Sequence, residues 1–302
     1  MDYQTSDGRF LFYLPWQGHT LIGTTDKKTT AETLPTPPEQ EVDWLLKEGS
    51  KYLNLELRRE HVLSAWRGWR PLVADPHAPP DAPVSRDHVI SVNPTSGVIF
   101  IAGGKWTTWR EMAQEAVDRV VGKGGPPCKT LGVTLFGGGP GCECVLLLLL
   151  RLGNPCATTH PLLFSDSDSL AAELEDKYPH LDTDVASHLA KTYGVRAWEV
   201  CKVSTQHERI TPGYPYIEAE VVYGCREYAC TVEDILSRRT RLAYLNRDEA
   251  LAAIPKVTDL MAKELGWSRS VKAQQAQAAK KYIESYGGPT TGMDENPAMA
   301  AA

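Results

Sequence analysis

Residues 98–110, VIFIAGGKWTTWR, place two glycines, a lysine and two threonines between an apolar run and a helical pattern. Val98, Ile99, Phe100 and Ile101 are β-branched or aromatic and predict a buried strand. Gly103 and Gly104 then permit a tight turn and a close backbone approach to a ligand. From Thr108 to Val121 the residues Met112, Ala113, Ala116, Val117, Val120 and Val121 recur at helical spacing, with Thr108 and Glu111 spaced as a capping box. A helix start at the glycines presents unpaired N–H groups and about half a positive charge. Lys105 adds a full charge, so the expected chemistry is retention of a phosphate or an electron-rich ring oxygen. An ordinary strand-to-helix connection has the same pattern, and spacing alone leaves both readings open. Arg70 stands directly before Pro71, which predicts an extended backbone and a guanidinium fork directed at phosphate or carboxylate.

The elements around these residues follow from turn and periodicity signals. Phe10–Pro15 and Thr20–Thr24 flank Gln17 and Gly18 and predict a hairpin. A proline at 37 or 38 opens a helix running to about Leu53. Residues 61–73 read as a strand interrupted by Gly68, and 87–102 as a second hairpin turned at Asn93–Gly97. Residues 122–127 have linker composition. Helical patterns then cover about 168–178, 183–193, 195–204, 215–229, 231–245, 248–265 and 268–286, with Thr231 and Asp234 as an N-cap pair. The acidic run at 165–169 lacks the glycine and final glutamate of a calcium loop and reads as an N-cap. The tail from Gly287 reads as disordered.

Bulk properties bound the function classes. A chain of 302 residues is long enough for about two domains, and 42% hydrophobic with 23% charged residues is globular composition. A net charge of −6 supplies no basic field for nucleic acid. Arg238, Arg239 and Arg241 form the one locally basic run, read as a solvated helix face or as a contact for an anion or partner domain. Seven cysteines without a C-x-x-C pair argue for a reducing compartment and against a zinc site. The apolar run Val145–Leu150 is far shorter than the roughly 20 residues of a membrane span. The polar start shows no targeting peptide.

Four stretches together carry a family resemblance: DGRFLFYLPWQGHTLIGTTD at 7–26, WRGWRPLV at 66–73, IAGGKWTTWREMAQEAVD at 101–118, and YIEAEVVYGCREYACTVEDILSRRTRLAYLN at 216–246. The chain resembles the C-terminal half of the FAD-dependent, respiratory glycerol-3-phosphate dehydrogenases, more the mitochondrial type than the bacterial one. The resemblance runs from about residue 7 to about 285 and is weak over 128–180. It implies an α+β class: part of an FAD-linked substrate domain (1–122) with mixed or antiparallel sheet, a linker (123–145), an all-α C-terminal domain (146–288) and a disordered tail (289–302). By position it implies Arg70 and Lys105 as substrate-binding residues. It likewise implies Arg70, Gly103, Gly104, Lys105, Trp106 and Thr107 as flavin-facing residues, with Lys105 and Thr107 beside the anionic reduced ring. The reaction implied is oxidation of glycerol 3-phosphate to dihydroxyacetone phosphate, by proton removal from the C2 hydroxyl and hydride transfer to FAD. Electrons then pass to a quinone, by peripheral attachment at the mitochondrial inner membrane.

No G-x-G-x-x-G following a strand occurs in these residues, and Gly137–Gly141 lies in a linker context. The resemblance therefore implies a truncated chain that supplies one wall of a flavin site. No general base is assigned, because His19, His61 and His88 have no distinguishing context, and no metal is expected. Two other readings stay open. One is a flavin-dependent amine or hydroxyacid oxidase, in which an arginine before proline grips a carboxylate; the other is a non-catalytic binding or assembly fragment.

Overall fold

The computed structural model describes residues 5–27, 29–70, 72–73, 79, 87–122, 124–133, 161–204 and 207–289, with side chains from 167 in the first helix after residue 160. It is α+β and divides into two compact units, residues 68–135 and the remainder. Among the described residues every strand pair is antiparallel.

In the smaller unit β3 (His88–Val92) pairs with β4 (Ile99–Gly103), from His88 opposite Gly103 to Val92 opposite Ile99. The expected turn forms because the Asn93 side-chain carbonyl accepts from the N–H groups of Thr95 and Ser96 at 2.9 and 3.0 Å, while Gly97 takes a φ of +72°. A single 3-10 turn, Trp106–Thr108, leads into helix α2 (Trp109–Val121). The predicted capping box does not form: the Thr108 hydroxyl instead donates to the Lys105 carbonyl at 3.1 Å. The expected buried strand is also not found. No described residue between 87 and 133 is buried, and Val98, Phe100 and Ile101 are exposed. A two-stranded ribbon carrying one helix is a single layer and has nothing to close a core against. Among the described residues of 61–73 the expected strand does not form: a 3-10 turn occupies Arg59–His61, and Ala65 makes an isolated bridge to Gly287.

The larger unit opens with the predicted hairpin, β1 (Phe12–Trp16) and β2 (His19–Gly23), then α1 (Glu39–Ser50). Glu48 of α1 is fully buried and accepts from the Ser6 hydroxyl and the Lys51 ammonium, each at 2.6 Å. The helices that follow are α3 (Pro161–Lys177), α4 (Thr183–Tyr193), α5 (Ala197–Val203), α6 (Glu218–Arg226), α7 (Leu242–Leu245), α8 (Arg247–Leu265) and α9 (Arg269–Glu284). The acidic run at 165–169 lies inside α3 rather than capping it.

Helix α6 is apolar on opposite faces, since residues two apart point about 200° apart on a helix. Ala219 and Tyr223 join the core of α3, α4 and α5, whereas Val221 and Cys225 join the core of α8 and α9. Its Glu220 is buried and accepts from the Ile217 N–H at 2.9 Å, the Tyr193 hydroxyl at 2.9 Å and His188 Nε2 at 2.8 Å. Thr231 and Asp234 cap each other reciprocally, as predicted. The single helix expected over 231–245 is instead split into a π-helical turn, Asp234–Arg239, and α7, with Arg241 between them at φ +61°. Asn246 then caps α8 through the Asp248 and Glu249 N–H groups. Gly287, expected in the disordered tail, is held by two backbone hydrogen bonds with Ala65, at 2.7 and 2.8 Å; residues 290–302 lie outside the described residues.

The N-terminal segment packs on this helical unit through specific contacts. His19 stacks on Tyr214 with ring centroids 5.8 Å apart, and the Tyr216 hydroxyl donates to Gln17 at 2.9 Å. Trp66 sits edge-on to Tyr244 at 5.0 Å, and the Ser64 hydroxyl donates to the Ala243 carbonyl.

Two stability predictions follow from this packing. A Cβ on Gly224 would lie 2.8 Å from Ile235 Cδ1 and 3.0 Å from Arg239 Nε, so Gly224→Ala will cost about 1–3 kcal/mol by overpacking, read as a lower thermal midpoint. The Lys51 and Ser6 hydrogen bonds hold the Glu48 carboxyl below the usual glutamate range. A depressed folded value means that its contribution is complete above the unfolded value and is lost as pH falls through the folded one. Glu48→Gln will therefore flatten the decline of stability on acidification below about pH 5; an unchanged slope in denaturant titrations counts against this assignment.

Candidate functional site

Gly103 and Gly104 take φ values of +76° and +75°, which L side chains rarely adopt. Space excludes a side chain as well. A Cβ on Gly103 would lie 2.8 Å from Val73 Cγ1 and 3.0 Å from the Asp87 carbonyl, and one on Gly104 would lie 2.6 Å from Met112 Sδ. The glycines thus let α2 and the Val73 strand-side segment close onto the end of β4.

Beyond the glycines the chain turns outward. Lys105 is extended, at φ −140° and ψ 150°, and Lys105, Trp106 and Thr107 are all exposed, Trp106 to 91%. Among the described residues no acceptor pairs with the Lys105 ammonium. Its neighbours differ: His88 Nε2 meets Glu115 at 2.8 Å, and Arg110 donates to Gln114 at 2.9 Å and Thr130 at 3.2 Å. The turn therefore presents an uncovered indole and a cation without an acceptor among the described residues. The start of α2 proper lies beyond the 3-10 turn, so its N–H groups do not converge on the glycines as the sequence pattern implied. Arg70 is exposed, and its carbonyl accepts from the Leu72 N–H at 2.8 Å across Pro71.

The three histidines weighed as proton acceptors are each engaged. His19 Nδ1 donates to the Gln17 carbonyl at 2.8 Å, leaving Nε2 to accept from Tyr214, and His61 Nδ1 accepts from the Arg58 N–H. A feature without sequence signal is an open groove of about 470 Å³ lined by Arg110, Gln114, Asp118, Cys128 and Leu131. The Thr130 hydroxyl, 3.1 Å from Sγ, holds the Cys128 thiol below its ordinary range, whereas burial pushes Cys201 and Cys225 up to about 11. Among the described residues no three metal-ligating side chains converge, and no helix is long and apolar enough to cross a membrane.

Comparison with known proteins places this geometry. Residues 1–110 match the model of FAD dependent oxidoreductases, and residues 128–272 match that of the C-terminal domain of alpha-glycerophosphate oxidase. The chain is 41% identical over 297 residues to the mitochondrial glycerol-3-phosphate dehydrogenase of Mesocricetus auratus and 40% identical over 297 to that of Homo sapiens. Each alignment covers 94% of this chain and 37% of the relative. The mitochondrial enzyme of Arabidopsis thaliana is 37% identical, with 44% of it covered. Among solved structures, the glycerol-3-phosphate dehydrogenase from Bacillus halodurans complexed with FAD matches 96% of this chain and 53% of its own, with a TM-score of 0.70 and 26% identity. The chain thus spans well under half the length of the animal relatives it matches. Both parts of the chain are matched in order and the identity is sustained across nearly all of it, so the chain is similar throughout to part of the glycerol-3-phosphate dehydrogenases, with its N-terminal residues matching the FAD dependent oxidoreductases.

Proposed function

We propose that this chain forms the substrate-side wall and helical C-terminal part of an FAD-dependent glycerol-3-phosphate dehydrogenase that converts sn-glycerol 3-phosphate to dihydroxyacetone phosphate. The observation that carries the reading is the run Lys105, Trp106 and Thr107, exposed on a turn whose geometry two packed glycines determine. A cation without a carboxylate partner beside an uncovered indole fits an electron-rich ring, and the residues present therefore fit FAD. When bound, FAD supplies the hydride acceptor. Lys105 then stabilises negative charge that develops against it, a role for which a fixed cation in a site closed to water is most effective. Arg70 holds the phosphate of the substrate through its guanidinium fork.

The exposure of Phe100, Trp109, Val117, Val120 and Val121 supports a further element of this reading. In it, a flavin-binding part of the kind found in the longer relatives covers the apolar surface of the 68–135 unit. We also assign the chain to the mitochondrion, with a quinone as acceptor and peripheral attachment at the inner membrane, in keeping with the names of the relatives. The alternative of a non-catalytic fragment is favoured by one fact, the 37% share of the relatives that the chain spans.

The test is FAD loading followed by glycerol 3-phosphate-dependent reduction of an artificial acceptor. It is run on the 302-residue chain alone and co-expressed with the N-terminal part of the human relative. Yellow, active protein in either arm supports the enzyme reading. In the active arm Lys105→Met will lower kcat/KM by about 10²-fold with the thermal midpoint unchanged. Colourless, inactive protein in both arms overturns it in favour of the fragment.

A further inference from the structure

Residues 63–66 form no regular strand, and Leu63 and Trp66 are exposed, yet each of the four is held by the C-terminal part of the chain. The Leu63 carbonyl accepts from the Arg247 N–H at 3.1 Å, at the start of α8. The Ser64 hydroxyl donates to the Ala243 carbonyl of α7 at 2.7 Å. Ala65 exchanges two backbone hydrogen bonds with Gly287, at 2.7 and 2.8 Å, and the Trp66 ring stands edge-on to Tyr244 at 5.0 Å.

The approach is closest at Gly287. A Cβ there would lie 2.8 Å from Arg59 Nη2 and 3.3 Å from both Ala65 Cβ and Pro37 Cγ. One on Gly288 would lie 2.7 Å from Nη1 of Arg247, the residue whose N–H holds Leu63. Tyr286, just before the glycine pair, is buried, and Tyr244 sits edge-on to it at 5.1 Å. One ring, Tyr244, thus touches both the held segment and the strap that holds it. Burial does not account for this grip, because the segment leaves two of its large apolar side chains in solvent.

Only Arg67, Gly68 and Trp69 separate the held segment from Arg70. Four residues of chain reach at most about 14 Å, and a residue before proline is restricted to extended conformations. The anchored segment therefore limits where the Arg70 backbone can lie. A guanidinium fork is directional, and a displacement of about 1 Å, even one that originates far from the reacting atoms, costs up to about 10²-fold. We propose that Ser64 and Gly287 are positioning residues for Arg70, through which the helical C-terminal part sets the affinity for the phosphate ester, a role that rests on the assignment of Arg70 to the substrate phosphate.

The experiment places Ser64→Ala, which removes the hydroxyl held by Ala243, and Gly287→Pro, which removes the N–H held by Ala65, in the FAD-loaded active protein, each with and without Arg70→Gln. Each single variant will raise KM for glycerol 3-phosphate about tenfold, with kcat falling much less. Arg70→Gln will raise KM by about 10²-fold, and in that background neither variant will add more than about twofold, because the group through which they act is gone. A tenfold effect that persists beside Arg70→Gln, or an unchanged KM in both variants while Arg70→Gln is effective, overturns the positioning role alone. An unchanged KM in Arg70→Gln overturns the assignment of Arg70 and the positioning role with it. Backbone hydrogen exchange gives a readout that needs no activity: in the complete 302-residue chain, exchange over residues 66–70 will accelerate at least about tenfold in both variants, and unchanged exchange there overturns the proposal. Should Gly287→Pro not fold, Ser64→Ala decides alone.

Discussion

The buried carboxylate of Glu220 is the interaction on which the helical part of the chain depends. A buried carboxylate is tolerated when hydrogen bonds replace its hydration, and here three donors from two places in the chain do so: Tyr193 and His188 from α4, and the backbone of Ile217 at the start of α6. Because α6 is apolar on both faces, fixing its start also fixes the division between the two cores. One turn further on, Gly224 lets Ile235 and Arg239 approach, which brings the π-helical turn down onto α6. The position of Arg241 follows from that approach. So does the docking of the hairpin tip, since Tyr216 stands one residue before Ile217 and holds Gln17.

The smaller unit is organised by a different constraint. Its glycine pair has left-handed torsions and no room for a Cβ, so β4, the Val73 segment and α2 are locked together without a buried core. Rigid geometry combined with exposed apolar and cationic side chains is an unusual pairing for a free surface. The relatives that the chain matches are more than twice its length.

Much of this was legible in local pattern. Both hairpins, the Thr231–Asp234 cap and the span of α8 follow from period, turn residues and capping groups that act within a few positions. The family resemblance was legible because GGKWTT, WRGWRPLV and the 216–246 stretch are distinctive in residue type and order. Other expectations failed where a distant partner outweighed the local signal. Thr108 bonds backward to Lys105 instead of capping α2, and residues 61–73 are drawn to Gly287 and Tyr244 instead of to a neighbouring strand. The apolar strand at Val98–Ile101 is exposed, because burial requires a second layer that no local pattern encodes.

The sequence by itself determined the family resemblance, the α+β class and the glycine turn that carries Lys105, since these rest on residue identity and short-range spacing. Tertiary structure alone decided which arginine of the 238–241 run has no carboxylate partner among the described residues. It also decided that Glu220 sits at the joint of two cores and that the N-terminal hairpin belongs with the C-terminal helices. The physical reason is that burial and the docking of one segment on another are settled by groups far apart in the chain, as between Gln17 and Tyr216, and periodicity carries no record of them.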